Sequence, residues 1–86
     1  MPEVSRFYGI IVRLYFREHP PPHFHALYGE HEAQIEITTG RVLEGDLPNT
    51  ALRLLEQWRV AHAAELMADW NRARAWQPLQ PIAPLE

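Results

Sequence analysis

The sequence predicts an α+β domain: an antiparallel meander of three or four strands, packed on one face by a single long or kinked C-terminal helix, then a polyproline-like tail. Three observations carry this reading. Residues 7–16 form a run rich in β-branched and aromatic side chains, and residues 32–38 alternate apolar and polar. From Pro48 onward, apolar residues recur every three or four positions with no glycine or proline before Pro78.

Each element has its local reason. Residues 1–6 read as a polar lead-in, and residues 7–16 as the first strand, with Ile10, Val12, Leu14 and Phe16 on an apolar face and Ile11, Arg13 and Tyr15 on a mixed one. Three prolines, Pro20, Pro21 and Pro22, cannot donate to a ladder and end that strand, so the second begins at His23 and spans 23–28. Gly29-Glu30 signals a tight turn into a third strand, 32–38, where Ala33, Ile35 and Ile37 alternate with Glu32, Gln34 and Glu36. Thr39-Gly40 turns the chain into a short fourth strand, 41–44.

The helix is expected over 48–75, with Pro48 in its first turn and Asp46 near its positive end. Leu52, Leu55, Trp58, His62, Leu66, Trp70 and Ala73 form its stripe. Continuous, it would run about 40 Å and overhang so small a domain, so a bend around the sheet or a break near Ala61 to Ala64 is expected. Trp58 and Trp70 read as core residues, and His62 either as a core residue with one hydrogen-bond partner or as a ligand reaching the strand histidines. In the tail, residues 76–86, Pro78, Pro81 and Pro84 alternate with Leu79, Ile82 and Leu85 at the three-residue period of polyproline II, a pattern suited to packing back on the domain.

With 86 residues, 47% of them hydrophobic and 22% charged, the chain is one globular domain, 1–86. The absence of cysteine excludes disulfides, thiolate metal sites and cysteine nucleophiles. No apolar run reaches a membrane span and no basic-then-apolar leader opens the chain, so a cytoplasmic, non-membrane protein is expected. A net charge of −3 argues against indiscriminate nucleic-acid binding, although Arg6, Arg13 and Arg17 with the histidines form a local patch suited to an anion. All eight basic residues are arginine.

Four of the five histidines, His19, His23, His25 and His31, fall on or beside one stretch, His19-Pro20-Pro21-Pro22-His23-Phe24-His25-Ala26-Leu27-Tyr28, which places any chemistry at neutral pH there. Period-two alternation points His23 and His25 to one face while Phe24 and Ala26 point into the core. Same-face strand neighbours stand about 7 Å apart at Cα, near enough for two imidazoles to meet on one metal ion or one phosphate. Their face would also carry Arg13, Tyr15, Gln34 and Glu36, forming either an ionisable surface on a rigid scaffold or simply the solvated side of a sheet.

The set Ser5-Arg6-Phe7-Tyr8-Gly9-Ile10-Ile11, Tyr15-Phe16, His19-x-Pro21-Pro22-His23-Phe24-His25-Ala26 and Leu47-Pro48, followed by Ala51-Leu52, Trp58, His62, Glu65-Leu66 and Trp70, resembles the bacterial domain-of-unknown-function family 4160 over nearly the whole chain. The resemblance implies a small α+β domain, commonly encoded beside a second small protein in arrangements that look like toxin–antitoxin pairs. Its hallmark residues here would be His19, Pro21, Pro22, His23, Phe24, His25 and Ala26. Where relatives often carry an acidic pair before the first histidine, this chain has Arg17-Glu18, so the first of those carboxylates is missing.

Three functions fit. One is an interaction domain that docks a small partner protein encoded nearby, or a second copy of itself, and touches nucleic acid through that partner. Another is an RNA-cleaving toxin needing no cofactor, with His23 and His25 as general base and acid, Arg13 stabilising the phosphorane and Tyr15 positioning it. The last is a divalent transition-metal site of the zinc class, in which His19, His23 and His25 are joined by His31 or Glu36.

Overall fold

The computed structural model describes residues 2–86, and in it five strands precede one helix: β1 (Glu3–Phe7), β2 (Ile10–Arg13), β3 (His23–Tyr28), β4 (His31–Glu36), β5 (Val42–Gly45) and α1 (Asn49–Arg74). Strand order in the sheet follows chain order, every neighbour is antiparallel, and the architecture is therefore the α+β meander with one more strand than the pattern suggested.

The extra strand corrects the reading of residues 7–16 as one strand. Tyr8 (φ 49°) and Gly9 (φ 82°) both take left-handed backbone between the paired residues Phe7 and Ile10, the geometry of a two-residue type I′ hairpin. The supposed polar lead-in is thus β1, whose Val4 and Phe7 are buried. At its other end β2 stops at Arg13. Leu14 stays in the core, but Phe16 turns outward and is 36% exposed. β4 likewise ends at Glu36, although Ile37 remains buried.

One sheet face makes the core. Ile10 and Val12, Phe24 and Ala26, and Ala33 and Ile35 come from three successive strands at alternate positions, and all are buried. Ala51, Leu55, Trp58, Leu66, Trp70 and Ala73 supply the buried stripe of α1. Trp58 is the junction: its ring meets Phe24 edge-on at 6.0 Å and lies 5.2 Å from Phe7, while its Nε1–H donates to the Ala83 carbonyl at 2.8 Å. Further along the tail, Ile82 is buried and its N–H donates to the Val4 carbonyl, and the Gln80 N–H donates to the buried Asp69 carboxylate. Within α1, His62 departs from helical dihedrals (φ −123°, ψ 20°). Pro48 precedes the helix, the first turn holds no acidic residue, and Asp46 stands exposed beyond it.

A charged clamp fixes α1 to the β4–β5 turn. The buried Arg59 guanidinium donates to both Glu56 carboxylate oxygens (2.9 and 2.6 Å) and to the Ile37 carbonyl (2.8 Å). Gly40 (φ 78°) sits directly against this pair, where any Cβ would collide with the Glu56 carboxylate. The bonds from Arg59 hold the Glu56 carboxyl below its ordinary value of 4.5. Its stabilisation is therefore complete above that value and lost as pH falls through the lower folded one. Glu56→Gln is expected to lower the urea midpoint modestly at neutral pH, since the carboxylate is half exposed, and to make the midpoint fall less on acidification than in the wild type.

Candidate functional site

The opposite sheet face is not the open polar surface that alternation alone suggests. His23 and His25 do point there together, yet each is only 6% exposed, because the connection between β2 and β3 folds back over β3. That connection carries a left-handed residue at Arg17 (φ 62°) and a cis Pro20–Pro21 bond, and it lays Glu18 over both imidazoles. Arg74, from the end of α1, donates Nη1–H to the Glu18 carbonyl at 3.2 Å and anchors that backbone.

The hydrogen-bond pattern fixes what each ring nitrogen can do. The Pro21 carbonyl can only accept, so in the 2.9 Å contact His23 Nδ1–H donates to it, and Nε2 faces Glu18 Oε1, 3.3 Å away. His25 is arranged alike: Nδ1 faces the Glu32 carboxylate at 3.4 Å and Nε2 contacts Glu18 Oε1 directly. Around the rings, Tyr15 meets His25 edge-on at 4.5 Å, Trp70 lies 5.3 Å from His23, and the two imidazoles are 5.4 Å apart. One carboxylate oxygen and two imidazole nitrogens thus lie within 4.8 Å of one another.

Of the residues singled out from sequence, His23, His25 and Tyr15 are brought together. Arg13 is the cross-strand partner of His25, half-buried, with Nε shielded from solvent and unpaired. Others lie outside the cluster. His19 is exposed on the same connection; His31 lies 3.9 Å from Asp46; Glu36, although opposite His23 in β4, is engaged by Thr39 at 2.8 Å. His62 pairs with Glu65 and packs against Trp58. Of the two carboxylates against the rings, Glu32 lies where strand alternation puts it, on the face with Gln34 and Glu36, whereas Glu18 is the one that periodicity misses. Glu18 lies in a loop, outside any alternation, and its signal was a carboxylate tied by a short, proline-stiffened link to a His-x-His strand.

A family model described as Domain of unknown function (DUF4160) matches residues 9–71. The chain belongs to the DUF4160 family. The span shared with DUF4160 holds Glu18, His23, His25 and Glu32 together with Trp70, whereas Trp76 and the tail lie beyond it. Neither a curated protein nor a solved structure matches this DUF4160 chain. Among the described residues, no helix is long and apolar enough to cross a membrane.

Proposed function

We propose that this DUF4160 chain is a divalent-metal-binding domain of the hydrolytic kind, with a zinc-class ion held by Glu18 Oε1, His23 Nε2 and His25 Nε2. The observation that carries this reading is the pair of Nδ1 contacts. Metal-ligating histidines characteristically donate their second ring N–H to a carbonyl or carboxylate, which fixes the tautomer and aims the other nitrogen at the ion. Here Pro21 and Glu32 provide those acceptors.

Dimensions agree with this assignment. Ligands about 2.0–2.2 Å from a tetrahedral ion are separated by roughly 3.3 Å, close to the 3.3 Å between His23 Nε2 and Glu18 Oε1. Entry of an ion would replace the direct His25–Glu18 contact, and Glu18, which is partly exposed, can swing outward to admit it. Three protein ligands leave a position for water or substrate, and a zinc-class ion supplies there a water that ionises near neutral pH. Glu18 offsets one charge of the ion, while Tyr15 and Trp70 keep the imidazoles from reorienting.

The acid–base alternative fits less well, since both Nε2 atoms aim at one carboxylate rather than flanking an open space for phosphate. The partner-docking alternative draws on gene arrangement and has no comparable feature of geometry behind it. Elemental analysis of the untagged protein is expected to find one zinc-class ion per chain. At metal concentrations about 100-fold above Kd, the ion should raise the melting temperature by roughly 10–20 °C over chelator-treated protein. A metal-free protein whose melting ignores both chelator and added zinc would overturn this reading.

A further inference from the structure

Beside Glu18 the surface opens into two cavities. One, of about 390 Å³, is lined by Arg17, Glu18, His19, Pro20, Arg74 and Trp76. The second, of about 280 Å³, shares Glu18, His19 and Pro20 and continues over His23 towards Gln34 and Leu43. Sharing three lining residues, they lie side by side as a groove that runs past Glu18 to His23, while His25 lines neither.

The first cavity has an unusual lining. Arg6, Arg41, Arg59 and Arg72 each pair with a carboxylate. Of the other four, Arg13, Arg17, Arg53 and Arg74, none has a carboxylate ion pair among the described residues, and Arg17 and Arg74 lie over indole rings, 5.6 Å from Trp76 and 5.8 Å from Trp70. Two large aromatic rings, Phe16 and Trp76, stand at this mouth, stacked within 5° of parallel at 5.4 Å and left 36% and 63% exposed. Arg17 (φ 62°) holds left-handed backbone in this lining, while the left-handed Trp76 (φ 59°) is where a Schellman motif ends α1, the Gln77 N–H donating to the Arg72 carbonyl.

We infer that this groove binds a single-stranded polynucleotide, its phosphates on Arg17 and Arg74 and a base on the Phe16–Trp76 platform, so that the strand crosses Glu18. Unneutralised guanidiniums beside exposed aromatic faces suit a strand that offers alternating phosphates and unpaired π-faces. The inference deepens the metal reading by naming a substrate class, and it rests on that reading for any chemistry at Glu18, though binding itself needs no metal.

The test is fluorescence anisotropy of end-labelled ten-nucleotide oligouridine and oligothymidine, on chelator-treated and zinc-loaded protein at low salt. Both probes should bind, with a slope of log affinity against log salt of about −1.4 for two phosphate contacts, and about −0.7 in Arg17→Gln. Trp76→Ala should weaken binding about 5- to 150-fold, while Trp76→Phe, which keeps a stacking face, should lose much less. Both residues are exposed, so these variants should melt as the wild type does. A preference for oligouridine would identify RNA as the source of the strand, and equal binding would mean recognition by phosphate and base alone; either supports the inference.

No binding at low salt, affinity unchanged in both Arg17→Gln and Trp76→Ala, or equal competition by polyglutamate would overturn it. Zinc bound without oligonucleotide rejects the groove and leaves the metal site. Oligonucleotide bound by a protein that takes up no metal rejects the metal site and leaves the groove.

Discussion

Trp58→Ala is expected to cost about 3–5 kcal/mol, the range for deleting a buried aromatic side chain. In so small a domain that approaches the whole of its stability. Trp58 is fully buried and joins three parts of the molecule: Phe7 of β1, Phe24 of β3 and the Ala83 carbonyl of the tail. Removing the ring leaves a void between helix and sheet and orphans the tail carbonyl, and neither loss is relieved by collapse of the other elements. Trp58→Phe should retain most of the packing and lose the hydrogen bond, costing nearer 1–2 kcal/mol. Urea midpoints of the two variants, measured without added metal, give the comparison; equal and small losses would show that Trp58 is not the junction described.

The second large effect concerns metal affinity. Glu18→Ala is expected to weaken zinc binding at least a hundredfold, because it removes one of three ligands and the only negative one. Glu32→Ala should weaken it about 10- to 100-fold although Glu32 touches no ion, since its acceptor role fixes the His25 tautomer. His19→Ala, on the same connection but outside the cluster, should leave affinity unchanged. Titration against a competing chromophoric chelator reads all three. Equal affinities across the set would remove the proposed ligand assignment.

Side-chain periodicity made the sheet core, the helix and the shared face of His23 and His25 legible, since each follows from which side of a regular element a residue occupies. Tyr8-Gly9 escaped notice for the opposite reason. Its apolar and aromatic neighbours continue on both sides, and only the left-handed backbone of two adjacent residues ends the strand there. Glu18 escaped because a loop has no period: its position depends on how Arg17 and the following prolines turn the chain back. The burial of both histidines follows from that same fold-back, so a pattern that assigned their face correctly still misjudged their access to water.

The contact between Ile82 and Val4 bears on how this molecule can assemble. An antiparallel meander has two outer strands, and each normally offers unpaired backbone to another chain. Here the tail occupies the outside of β1, and β5 is left as the free edge. With that edge covered, strands can be added to the sheet only at the other. If copies joined by strand addition, β5 would meet β5 across a two-fold axis, and assembly would stop at a closed pair.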